Sequence, residues 1–343
     1  MNVLITGASG FLGRSVTAAI VARGHSVIAL VRDPERASTV LPSSVRLVEG
    51  DLRVPRSLAG ALDGVDAVIH LAACVVGDDD EQLASSVVGA ENLLAAMDAG
   101  GVRRLIYCGT LSVYDWRRAK SPLDEESPLE SDLYTRDGYA ISKTWQERIV
   151  RRWADAKGTQ LTVLRPGFVW GAGNEETSGV GQPIGPLRIV FGGARPLPLT
   201  YVENCAAAFA EVLDSTMTIG QTYNVIDAAR VTAWRHEGRY LRNTAAKGWR
   251  IYVPYLAGLT TARVATWFSR ALYRGRGKLP GILTPCRYRA RFRPLRFNAD
   301  KLREAIGAFE AFDYDEAWRH CRLAPVGVAT PTADTVVGEG VTA

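Results

Sequence analysis

The stretch TGASGFLG (residues 6–13) sets Gly7, Gly10 and Gly13 between a run that reads as a strand, NVLIT (2–6), and one that reads as a helix (11–23). Glycine suits these positions for physical reasons. The turn is tight, and a backbone without Cβ atoms can lie directly against a ligand. The helix that follows then offers unpaired N–H groups and the positive end of its dipole to an anion such as a pyrophosphate. A glycine triplet alone is a weak signal, since it also serves plain strand–helix packing. At the first strand–helix turn it points to a dinucleotide. The loop residues expected to hold that cofactor are Gly7, Ser9, Gly10, Phe11, Leu12 and Gly13.

Outward from this loop, short apolar runs alternate with helical stretches. SVIALV (26–31), VRLVEG (45–50), DAVIHLA (66–72), RRLIYCGT (103–110) and QLTVLRP (160–166) read as strands, and about 81–99 and 138–157 as helices. The runs are continuously apolar, the pattern of parallel strands buried on both faces. Their alternation with helices predicts an α/β fold, a Rossmann-type doubly wound parallel sheet. After Pro166 the pattern loosens. The Gly-rich GAGNEETSGVGQPIGP (171–186) reads as a loop over a site, 203–214 as a helix, and QTYNVID (221–227) as a strand returning to the main sheet. The smaller C-terminal substrate lobe is then discontinuous. Residues 1–165 and 201–229 form the dinucleotide-binding domain, and 166–200 with 230–322 the substrate lobe. Residues 323–343, small and polar without a period, read as a disordered tail.

The end of the second strand bears on which dinucleotide is used. An NAD site usually places a carboxylate about 20 residues beyond the glycines, on the ribose 2′-hydroxyl. Here Val31 is followed by Arg32, and a cation suits a 2′-phosphate. NADP(H) is the expected cofactor. Asp33 keeps NAD open if the strand ends one residue later. Further along, Asp51 and Leu52 of GDL (50–52) follow the third strand, where a carboxylate suits the adenine amino group. Leu71, Ala72 and Ala73 of HLAA (70–73) are small enough to let a cofactor lie close, and His70 reads as a core histidine.

At 343 residues, 47% hydrophobic and 22% charged, the chain can bury a substantial core. No run approaches the eighteen or so apolar residues that would cross a bilayer, and nothing resembles a secretory signal. Five cysteines, odd in number and without a C-x-x-C pair, argue against a disulfide framework or structural zinc, and a reducing cytoplasm is the expected location. Residues 230–322 hold 20 basic and 7 acidic side chains, against 21 and 27 in residues 1–229. A lobe this basic suits an anionic substrate, an anionic membrane or simply a solvated face. No nucleic-acid module accompanies it.

The segment DGYAISKTWQER (137–148) places Tyr139 four residues before Lys143, on one face of a helix. With 12 Tyr and 6 Lys, chance gives roughly 0.2 such spacings, so the pair needs its context. That context is TGASGFLG, GDL, HLAA, CGTLSVYD, YAISK, LRPGFVWG and LPLTYVENCAAAF in this order. Together they resemble the extended short-chain dehydrogenase/reductase superfamily, the NAD-dependent epimerase/dehydratase group, over about residues 1–230. The Arg-Pro-x-x-Val-x-Gly form and the C-terminal segment are most similar to its 3β-hydroxysteroid dehydrogenase-like branch. The resemblance implies that Tyr139 is the acid/base and that Lys143 favours its phenolate and holds the nicotinamide ribose. It gives Thr110 a hydrogen bond to the substrate oxygen and makes Ser112 a secondary substrate contact. Pro166 to Val169 would follow the nicotinamide face, and Asn204 would order the loop joining the lobes. It also implies a homodimer through the helices at 81–99 and 138–157.

Departures from the family narrow the chemistry. Dehydratases of this kind carry Thr-Asp-Glu where this chain has Thr110-Leu111-Ser112, so elimination of water lacks its carboxylates. Gly167 and Phe168 replace an Asn that epimerases use near the diphosphate, and Ser86 stands where the family has a supporting Asn. In WRIYVPYLAGLTTARVATWFSRALYR (249–274), Val264, Trp267, Phe268, Ala271 and Leu272 share a helical face edged by Arg263, Arg270 and Arg274. That face reads as ordinary core, as a lid over an apolar pocket, or as a peripheral membrane contact. The leading expectation is an NADP(H)-dependent oxidoreductase interconverting a secondary alcohol and a ketone on a sterol- or lipid-like small molecule. A nucleotide-sugar epimerase with tightly held NAD, and a non-catalytic dinucleotide sensor, are the alternatives.

Overall fold

Asn2–Thr6 form β1, whose Val3, Leu4 and Ile5 are wholly buried, and the rest of the sheet is built outward from it. The computed structural model describes residues 1–74, 78–273 and 279–323. β2 (Ser26–Val31), β3 (Arg46–Glu49), β4 (Ala67–His70), β5 (Arg104–Cys108) and β6 (Gln160–Pro166) follow in the first half. The second half adds β7 (Phe168–Trp170), β8 (Gly181–Ile184), β9 (Leu187–Phe191), β10 (Pro196–Leu197) and β11 (Leu199–Tyr201). β12 (Thr222–Val225), β13 (Val231–Thr232) and β14 (Trp249–Val253) complete the strands. Seven of them form one sheet in the order β12-β6-β5-β4-β1-β2-β3. Every neighbouring pair in it is parallel. This is the doubly wound arrangement, with its crossover beside β1.

Helices cover both faces. α1 (Phe11–Ala22) and, later in the chain, α5 (Val202–Asp214) enclose a core of Val16, Ile20, Phe209 and Val212 against β1 and β2. Between them in sequence lie α2 (Pro34–Ser38), α3 (Asp79–Ala99) and α4 (Gly138–Lys157). α3 and α4 pack on the other face through Leu93, Met97, Val150 and Trp153. α4 starts where it does because the Asp137 carboxylate accepts from Ala140 N at 2.9 Å, and it ends at Gly158 in the left-handed conformation. Those caps place Tyr139 in its first turn.

The C-terminal lobe contains α6 (Ala233–Asn243), α7 (Tyr255–Tyr273), α8 (Pro285–Phe292), α9 (Asp300–Ile306) and α10 (Tyr314–Leu323). Trp170 is fully buried at its hub, with ring centroids 5.0 Å from Trp318, 5.2 Å from Tyr201 and 5.4 Å from His236. The expected strand at 221–227 is β12, lying parallel to β6 on the main sheet. One expectation changes. The stretch 171–186 is not all loop, because β8 pairs antiparallel with β9. Gly181 permits that approach, since a Cβ there would sit 1.7 Å from the Ile189 carbonyl oxygen. The segment 249–274 begins as β14, parallel to β9, and becomes helical after Pro254, so Val264 to Leu272 lie on a helix as expected. Of the expected tail, Leu323 closes α10 and residues 324–343 lie outside the described residues, as does Arg274.

Candidate active site

The glycine loop has the shape its sequence predicts. Gly7 adopts φ +76°, and a Cβ on it would lie 2.8 Å from Ala72 N of the HLAA segment. A Cβ on Gly13 would lie 2.0 Å from Gly7 O. Gly10 caps α1 with no side-chain hydrogen bond, so the first-turn N–H groups of α1 have no capping side chain in front of them. This bare backbone cradle at a helix amino terminus fits a dinucleotide pyrophosphate, with Ser9, Phe11 and Leu12 within the same turn. Leu71 packs on the core beside it, and Ala73 follows Ala72 at the end of β4. His70 is core: its Nδ1 and Thr6 Oγ1 hydrogen-bond at 2.7 Å, and burial with the Lys143 charge pushes it down to about 3.

At the adenosine end, Arg32 is exposed immediately past β2. Asp33 is committed elsewhere, as its carboxylate accepts from Arg36 N at 2.9 Å and caps α2. Asp51 also has a local partner. It chelates Arg53 through Nε at 3.1 Å and Nη2 at 2.7 Å, and that hydrogen bonding lowers it below its ordinary value. Leu52 packs against the core on the α3 side, where a Cβ on Gly89 would touch it.

The catalytic candidates converge where β5 ends beside the first turns of α4. Thr110 is buried, and its Oγ1 accepts from Ser112 N at 3.2 Å. Burial pushes the Tyr139 phenol up to about 12, with the neighbouring Thr110 hydroxyl working against the rise. Ser112 is held from behind, its carbonyl accepting from Arg136 Nη2 at 2.9 Å. One turn on, Lys143 is buried and donates to Cys108 O at 2.7 Å and Gln146 Oε1 at 2.9 Å. Burial lowers its ammonium to about 8. Pro166 and Val169 lie on β6 and β7, at the carboxyl end of the sheet where such folds bind ligands.

Sequence reading missed the residues behind this group. Gln146 ties the site together: besides accepting from Lys143, its Nε2 donates to Ser86 O at 2.9 Å. Ser86 in turn accepts from Cys74 N at 3.0 Å, so the serine that replaces the family's Asn still anchors the β4 end to α3. The i, i+3 spacing of Lys143 and Gln146 was the available signal. Glu147 is buried against Arg165 at 2.5 Å, and Arg165 donates to Tyr114 Oη at 2.8 Å. Burial works to raise Glu147, but Arg165 and Arg151 outweigh it and hold the carboxyl below its usual range. Asn204 on α5 donates to Phe312 O at 2.9 Å and accepts from Phe312 N at 3.1 Å, which holds the segment leading into α10.

Comparison with known proteins shows the family. The family model for the NAD dependent epimerase/dehydratase family matches residues 3–225. A 2-alkyl-3-oxoalkanoate reductase of Stenotrophomonas maltophilia (strain K279a) is 34% identical over 217 residues, which cover 61% of this chain and 64% of that protein. A 4-hydroxy-2-methyl-3-oxo-4-farnesyl-3,4-dihydroquinoline-1-oxide ketoreductase of Stigmatella aurantiaca is 29% identical over 317 residues, covering 90% of this chain and 91% of the other. The crystal structure of gox2253 superposes with a TM-score of 0.72 at 25% identity, over 89% of this chain and 92% of that one.

Proposed function

The chain belongs to the NAD dependent epimerase/dehydratase family, enzymes of NAD(P)-linked chemistry on CH–OH groups, and from that premise we propose that it interconverts an apolar ketone and its secondary alcohol with NADP(H). The observation that carries this reading is Tyr139 one helical turn before a buried Lys143 on α4, with Lys143 tied to Cys108 O at 2.7 Å where β5 runs into Thr110. When bound, the nicotinamide supplies or accepts the hydride. The chain's own residues handle position and proton. A phenol held up at about 12 is protonated at neutral pH, so Tyr139 is ready to donate its proton to a ketone oxygen. Thr110 is placed to hydrogen-bond the same oxygen. Lys143, still largely charged at neutral pH with its ammonium at about 8, stabilises the phenolate that remains.

NADP(H) is favoured over NAD(H) by the exposed Arg32 and by the capping role that occupies Asp33. The cradle of Gly7, Gly10 and Gly13 would take the pyrophosphate. An apolar, sterol- or lipid-like substrate, near the 3β-hydroxysteroid dehydrogenase-like branch, is part of the same proposal. It is supported by Arg165-Pro166-Gly167-Phe168-Val169-Trp170-Gly171 and by two relatives named for reducing oxo groups on alkyl- or farnesyl-bearing molecules. The test is turnover of a panel of apolar ketones with NADPH and with NADH, beside Arg32→Glu. NADPH-dependent turnover is expected, with NADPH affinity roughly tenfold or more weaker in the variant and NADH little changed. Nicotinamide that co-purifies and does not exchange would instead favour an epimerase.

A further inference from the structure

Among the described residues, helix α7 packs through one stripe. Leu259 and Ala262 are buried against Phe191, Tyr288 and Phe292, and Ser269 continues that side. At 100° per residue, Leu256, Val264, Trp267, Phe268, Ala271 and Leu272 fall on the opposite half. Among the described residues nothing covers that half: Leu256 is 71% exposed, Trp267 63%, Phe268 50% and Leu272 69%. The face is therefore not core. Arg263 and Arg270, seven residues apart and both exposed, stand together along one edge. Just before the helix, β14 lies at the edge of its sheet and exposes Trp249, Ile251 and Tyr252. Large apolar side chains gathered this densely mark a contact surface.

Charge selects the partner. From Gly238 to Ala299 the sequence holds 14 Lys and Arg and no Asp or Glu. A second copy would set one strongly basic segment, with Arg263 and Arg270 exposed on α7, against another, whereas an anionic surface complements it. Trp and Phe with Leu on one face, Arg able to extend from its edge, and a basic surround are the composition of a helix lying in the interface of a charged membrane. No helix among the described residues is long and apolar enough to cross a bilayer, so the contact is one of lying on the surface. We propose that α7 docks in the plane of an anionic lipid bilayer. Trp267, Phe268 and Leu272 enter the headgroup boundary, and Arg263 and Arg270 sit at lipid phosphates. This proposal does not rest on the reductase reading.

The test is co-sedimentation of the full chain with vesicles of phosphatidylcholine alone and of phosphatidylcholine mixed with phosphatidylglycerol. Binding is expected only to the mixed vesicles, with release at high salt. The double variant Trp267→Ser/Phe268→Ser is expected to bind at least roughly tenfold more weakly, and Arg263→Gln/Arg270→Gln to lose the preference for the anionic lipid. Unchanged thermal melting of both variants shows that a surface and not the fold was altered. Wild-type protein indifferent to both vesicles, or binding that persists in both variants, overturns the proposal. So does a dimer in sedimentation velocity that Trp267→Ser/Phe268→Ser dissolves, which would assign the face to a second copy.

Discussion

Replacing Lys143 with methionine is expected to make the protein slightly more stable at neutral pH while removing its activity. Burial lowers the Lys143 ammonium from an ordinary 10.5 to about 8. Each unit is about 1.4 kcal/mol, so the charged side chain costs the folded state about 3 kcal/mol. Between about pH 8 and 10.5 the unfolded chain holds more of this proton than the folded one, and stability therefore rises with pH across that window. The penalty is complete below it and gone above it. Methionine removes the charge but leaves Cys108 O and Gln146 Oε1 without bonds of 2.7 and 2.9 Å. Those losses offset about 1 kcal/mol each. The variant should then be about 1 kcal/mol more stable than wild type near pH 7 and about 2 kcal/mol less stable near pH 11. Urea unfolding followed by tryptophan fluorescence at both pH values gives the difference directly, with other titrating groups cancelling. A difference that is the same at both pH values would refute the reasoning, because Lys143 would then ionise at its ordinary value.

Two other outcomes follow from the same geometry. Glu147→Gln leaves the buried Arg165 guanidinium without its carboxylate and should destabilise by about 3–5 kcal/mol in urea unfolding, far more than an exposed Glu→Gln change. Gly13→Ala puts a methyl where only 2.0 Å separates it from Gly7 O; overpacking of about 1–3 kcal/mol on the loop should weaken NADPH binding roughly 5- to 150-fold in a fluorescence titration.

The legible parts of this chain were those where one short segment carries the whole constraint. Gly7, Gly10 and Gly13 are dictated by backbone approach within a single turn, and Tyr139 with Lys143 by one helical repeat. Continuously apolar runs announced buried parallel strands, and β1 through β6 and β12 lie where those runs are. What escaped depends on residues distant in sequence. Glu147 and Arg165 are 18 residues apart on a helix and a strand, and neither residue type predicts the other. Gln146 acquires its role only because Ser86 on α3 faces it. The glycines at 171–186 suggested a loop, yet Gly181 permits a strand pairing that a side chain would block. On α7, periodicity identified an apolar face correctly and could not say whether anything covers it.

The central claim is that Tyr139 moves the proton at the end of β5. Tyr139→Phe removes one oxygen atom from a side chain whose ring is otherwise retained, so the decisive measurement is the rate of ketone reduction by this variant with NADPH saturating. A fall of roughly 10²- to 10⁴-fold in kcat, with NADPH affinity unchanged, is the predicted result. Wild-type rates in the variant would contradict the account and move the acid/base elsewhere in the site.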